Sequence, residues 1–178
     1  MKKNIWNQGF TLFEILIYIS ILAIISVAIV SFVLWAINFN ASSKAAIEVQ
    51  DNARRAMEIM TYEIREANSV YLPTSVFFTH PGQLSLETGL EPPAGETKTY
   101  KDFYLSNGVL YFKEEGSLPE PLTSDNVRVT NLVFRNLGHN ASTTPDSIQI
   151  YLGAQYNNPT NRPEFQASTS LEFSVSLR

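Results

Sequence analysis

Residues 15–37 form an apolar run of 23 in which the only small polar side chains are Ser20, Ser26 and Ser31. At about 1.5 Å per residue, a helix over this run reaches roughly 34 Å, enough for a hydrocarbon core of about 30 Å. Neither glycine nor proline occurs in residues 10–72, a stretch of 63 without a helix breaker, and Pro73 is the first. After a polar patch at 38–43, Ala46, Val49, Ala53, Met57, Met60, Ile64 and Ala67 recur at steps of three and four. That spacing predicts one apolar helix face. Glu48, Asp51, Arg54, Arg55, Glu58, Glu63, Arg65 and Glu66 lie opposite, and Asp51–Arg55 and Arg54–Glu58 have the spacing of helical ion pairs. The pattern predicts a single helix over 10–68, roughly 88 Å long. Its first half suits a membrane, and its second half has one face to pack.

Beyond residue 68 the chain turns to β-branched and aromatic residues punctuated by turn formers. Strands are expected at 76–79, 84–87, 100–106, 109–113, 127–137 and 147–152. Asn107-Gly108 is the strongest short-range hairpin signal among them. In the last strand Leu171, Phe173, Val175 and Leu177 alternate with Ser170, Glu172, Ser174 and Ser176. One-sided strands need cover, and the apolar face of the 41–68 helix supplies it. The expected fold is α+β, an antiparallel sheet wrapped on the end of a long helix. Residues 88–97, 138–146 and 154–166, rich in Pro, Asn, Thr and Gly, are expected as exposed loops.

Charge sharpens the picture at the N-terminus. Glu14 is the only charged residue between Lys3 and Lys44, and a lone carboxylate beside an apolar run is costly unless it has a function. Lys2 and Lys3 precede the run, so the positive-inside bias places the N-terminus in the cytoplasm and the chain after about residue 38 outside. A secretory signal has an apolar centre of about 7–15 residues followed by a small-residue cleavage site, and this run is too long for one. A plain signal-anchor helix accounts for everything except Glu14 and the sequence before it. The net charge is −4, and about −6 without Lys2 and Lys3, which argues against a nucleic-acid partner. The chain contains no cysteine, so the exported domain relies on packing alone.

Gly9-Phe10-Thr11-Leu12-Phe13-Glu14, after a basic leader and before the apolar run, resembles the signature of type IV pilin-like precursors. The resemblance implies a leader of residues 1–9, a membrane or filament-core helix at 10–40, and an extracytoplasmic domain at 41–178. That domain would comprise an amphipathic helix at 41–68 and a β-rich part at 69–178. It implies cleavage between Gly9 and Phe10 by a prepilin peptidase, N-methylation of Phe10, and a Glu14 carboxylate that meets the Phe10 amine of a neighbouring subunit. The implied partners are other pilin or pseudopilin subunits, the peptidase, an inner-membrane platform with its ATPase, and the bilayer before assembly. The implied locations are the inner membrane and then a filament. Asn52-Ala53-Arg54-Arg55-Ala56, Glu63-Ile64-Arg65-Glu66-Ala67, Pro121-Leu122-Thr123-Ser124 and the terminal Ser176-Leu177-Arg178 are similar to J-type pseudopilins and related minor pilins. Two departures favour that minor role. Val30-Ser31-Phe32 stands where many members have a proline, and no cysteines close a C-terminal loop.

Catalytic signatures do not emerge. No nucleophile elbow, P-loop, zinc-binding His-Glu-x-x-His or paired-cysteine motif is present, and no cofactor or metal is expected. His80 and His139 fall in expected loops. Asp102, Glu114, Glu115, Glu120, Asp125 and Asp146 are scattered without calcium-loop spacing. Phe103, Tyr104, Tyr111, Phe112 and Phe134 read as sheet packing. Asn140-Ala141-Ser142 has the form of a glycosylation acceptor but carries no weight alone. The competing functional class is a stably anchored single-pass domain that binds a ligand or adhesion partner, with an extracytoplasmic enzyme behind it.

Overall fold

A sequence free of glycine and proline through residues 10–72 forms one continuous α-helix, α1 (Leu12–Glu66), of 55 residues. The computed structural model describes residues 11–90, 92–138 and 147–177. The chain divides into two compact units, Met1–Asn40 and Ala41–Arg178.

In the second unit, α1 buries Ala45, Val49, Ala53, Ala56, Met57, Met60 and Ile64. Ala45, not the expected Ala46, turns inward because the four-residue step through Ala53 and Val49 leads back to it, leaving Ala46 exposed. The anticipated Asp51–Arg55 and Arg54–Glu58 pairs do not close. The ion pairs among the described residues lie elsewhere, because long exposed side chains gain little from being held together. Glu63, expected on the solvated side, reaches across to Lys101, with Nζ–Oε2 at 2.7 Å.

Among the described residues eight strands follow the helix, and they form two sheets where the sequence pattern suggested one. The first sheet is an antiparallel meander of β1 (Ser69–Val70), β2 (Leu84–Thr88), β3 (Thr99–Ser106), β4 (Val109–Glu114) and β5 (Glu120–Pro121). The second joins β6 (Val127–Asn136), β7 (Ser147–Tyr156) and β8 (Ser168–Ser176), also antiparallel. The break falls after β5, which spans two residues and ends on a proline that has no N–H to donate. Both sheets share one core with α1, in which Leu84, Leu86, Phe103, Leu132, Phe134 and Ile150 are fully buried. Register slips between Val129 and Asn131 opposite β7. That bulge lets Val127 and Val129, then Leu132 and Phe134, all face inward despite a spacing of three between the pairs.

The expected strand at 76–79 is instead a turn-rich loop with a single bridge, Val76 to Gln83. It lies along the free edge of β6. Phe78 N–H donates to Phe134 O at 2.9 Å and Gly82 N–H to Leu132 O at 2.8 Å, while His80 Nδ1 accepts the Leu132 N–H at 3.0 Å. An open edge invites unwanted pairing, and the loop closes this one. Gly82 is required for the approach, since a Cβ there would sit 3.0 Å from Leu132 O.

The Asn107-Gly108 hairpin forms as its sequence suggests. Ser106 pairs with Val109, and both turn residues have positive φ, 51° and 81°. A methyl group on Gly108 would meet Arg128 Cγ at 2.7 Å in a backbone conformation already unfavourable to side chains. Gly108→Ala is therefore expected to cost about 1–2 kcal/mol, read as a lowered midpoint of thermal unfolding.

Candidate functional site

The N-terminal turn of α1 is built by a short polar sequence set into an apolar one. Thr11 lies just before the helix. Its Oγ1 accepts the Glu14 N–H at 3.3 Å, and its carbonyl accepts the Ile15 N–H at 3.2 Å. Thr-x-x-Glu is the sequence form of a capping box, and the threonine half of that box is formed here. A carboxylate in the first turn also faces the positive end of the helix dipole, which favours it there. Tyr18, one turn on, donates its hydroxyl to Glu14 Oε1 at 3.4 Å. Glu14 is thus held by local contacts at the start of the helix, with its carboxylate only half buried.

Around it the surface is apolar. From Leu12 to Ile37 every large hydrophobic side chain is at least 41% exposed. A contiguous apolar surface of that extent marks a segment meant for lipid or for other protein. By length and composition α1 can cross a membrane.

Gly9 and Phe10 lie outside the described residues, as do His139 and Asp146. Glu14 is the member of the expected site that the structure places. The sequence reading passed over Thr11 as a cap, although Thr-x-x-Glu signals it, and passed over Tyr18 as a donor four residues from Glu14.

The other candidates disperse through the second unit. His80 has its Nδ1 occupied by the Leu132 backbone, which gives it a part in closing the β6 edge. Glu114 lies 3.8 Å from Lys101, and Glu115 accepts the Tyr100 N–H at 3.2 Å. Asp102 pairs in register with Lys113, and Glu120 is exposed on β5. Phe103 and Phe134 are core residues, Phe112 packs against them, and Tyr104 and Tyr111 stack on each other with ring centroids 5.7 Å apart. Among the described residues no three His, Cys, Asp or Glu side chains gather as a metal-binding group.

Among the described residues of this unit, two groups depart from their ordinary acidity. The Glu87 carboxylate, 2.6 Å from Lys98, raises the lysine pKa, and a hydrogen bond to Glu172 raises that of Tyr151. A polar cleft of about 390 Å3 opens beside Tyr156, Asn158 and Phe165. Several of its groups are already engaged. Tyr156 stacks on Phe165 at 5.5 Å, Arg162 lies over the same ring, and the Asn158 amide bonds the Arg162 backbone. The cleft at Tyr62, Glu66 and Leu90 is filled from one side by the Lys101–Glu63 pair. Neither arrangement pairs a nucleophile with a base.

Residues 7–37 match the family model described as the prokaryotic N-terminal methylation motif. The match covers 31 of the 178 residues and includes Gly9, Phe10 and Glu14. No curated protein and no solved structure matches the chain.

Proposed function

We propose that this chain, a type IV pilin-like protein by its N-terminal methylation motif, is a structural subunit that is processed at the membrane and then stacked into a filament. The observation that carries the reading is Glu14, a lone carboxylate in the first helical turn of an otherwise apolar and exposed segment. Prepilin peptidase cuts between Gly9 and Phe10, whose small glycine side leaves the bond unobstructed, and methylates the Phe10 amine. That terminus carries a positive charge. Beside hydrocarbon it is costly alone, as is the carboxylate, and each relieves the other when a neighbouring subunit brings them together. Pairing Phe10 of one subunit with Glu14 of the next fixes the axial step, while the apolar surface of residues 12–37 packs between subunits. The β-rich unit then forms the outer face.

Within this family the chain fits a minor pilin or pseudopilin, extracted by an inner-membrane platform with its ATPase. Support comes from the missing mid-helix proline at Val30-Ser31-Phe32 and the absence of cysteines for a C-terminal disulfide. The second unit needs no such staple, because its core is continuous from α1 through both sheets. Shearing filaments from native cells with and without prepilin peptidase tests the reading. The chain is expected in the sheared fraction only when the peptidase is present. Equal recovery without the peptidase, or retention of all chain in the membrane with it, contradicts the proposal.

A further inference from the structure

Phe32, Trp35 and Phe39 stand at i, i+3 and i+7 on α1, and their rings form one ladder. The Phe32 and Trp35 centroids are 6.0 Å apart, and those of Trp35 and Phe39 are 5.5 Å apart with planes 19° from parallel. All three are well exposed, Trp35 at 60%. We propose that this ladder is a lipid-interface anchor on the extracytoplasmic side, holding the unassembled chain at a fixed depth in the bilayer. The proposal rests on reading residues 15–37 as a membrane segment.

Depth supports it first. Trp35 lies 21 residues beyond Glu14, or roughly 32 Å along a helix at about 1.5 Å per residue, close to a hydrocarbon thickness of about 30 Å. With Trp35 at one interface, Glu14 falls at the other, where the Phe10 terminus is made. Chemistry supports it next. Among the described residues nothing accepts a hydrogen bond from the Trp35 indole N–H. In hydrocarbon that group stays unsatisfied, whereas the ester carbonyls and water of the interface satisfy it while the ring rests on the acyl chains. The sequence changes at the same point, with Asn38 and Asn40 flanking Phe39 and Ser42, Ser43 and Lys44 following.

In the bilayer, before any assembly, a protein partner fits these rings less well. Helices that pack closely within membranes use small residues at their contact, and the ladder presents three bulky ones. Rings on a single side also fix helix rotation, which scattered aromatics would not.

The test uses the full chain carrying Trp6→Phe, so that Trp35 is the only tryptophan, in phosphatidylcholine vesicles. Some of the lipid carries bromines either near the ester carbonyls or deep in the acyl chains. Trp35 emission is expected to fall most with the shallow bromines. Strongest loss with the deep bromines overturns the anchor and leaves the membrane span standing. No loss at any bromine depth overturns both.

Discussion

Glu14→Ala is expected to leave leader removal intact and to reduce incorporation into filaments on the order of a hundredfold. Two unit charges about 4 Å apart attract by roughly 4 kcal/mol at the effective dielectric of a protein surface, and each 1.4 kcal/mol is tenfold in an equilibrium. Desolvation of both groups takes back part of that, which is why the estimate stops short of the full Coulomb term. Cleavage is spared because the scissile bond lies five residues earlier, at Gly9. Glu14→Gln separates charge from hydrogen bonding. It retains a polar group in the first turn and still accepts from Tyr18, so it should restore little if an ion pair sets the step. Cells expressing each variant with an active peptidase would be compared for leader removal and for chain in the sheared fraction. Wild-type incorporation of the alanine variant sinks the pairing mechanism, and wild-type incorporation of the glutamine variant sinks its ionic character.

The second large effect concerns the β-rich unit. Phe134 on β6 has no exposed surface and lies among Met60, Leu132, Ile150 and the other residues of the shared core. Truncation to alanine removes a buried ring from a core that also lacks any disulfide. Phe134→Ala is expected to cost about 3–5 kcal/mol. At roughly 2–4 °C per kcal/mol for a domain of this size, the thermal midpoint should fall by about 10 °C. Phe173→Ala makes the internal comparison. That ring is 43% exposed on β8, the outer strand of its sheet, so its loss should be well under half as costly. Equal shifts for the two variants would mean that the core is not organised around β6 as described.

Much of this architecture is legible in the sequence for identifiable reasons. A helix of 55 residues follows from the missing breakers, and its inward stripe follows from steps of three and four. Glu14 stands out because no other charge lies near it. Asn107-Gly108 announces its hairpin because both turn positions need positive φ. What stayed hidden depends on partners distant in the chain. The strand β1 spans only two residues, and nothing local distinguishes it from the end of α1; its existence comes from pairing Ser69 with Glu87 and Val70 with Leu86. The division into two sheets turns on a two-residue strand ending at Pro121. Residues 76–79 have strand-like composition yet begin a covering loop, because the free edge of β6 is met by single contacts, the Phe78 and Gly82 N–H groups and the His80 ring. The bulge near Thr130 was readable, since a jump from Val129 to Leu132 breaks strict alternation. The aromatic ladder had the right spacing but was absorbed into an apolar run.

The proposed function runs through one sequence of events, from a cut after Gly9, to a charged Phe10 terminus, to a carboxylate waiting at Glu14. Intact-mass and N-terminal mass spectrometry of the membrane-fraction protein from its native host tests that sequence most directly. The account predicts a chain that begins at Phe10 and carries the mass of one added methyl group. A chain that retains residues 1–9, in cells with a demonstrably active prepilin peptidase, would contradict it.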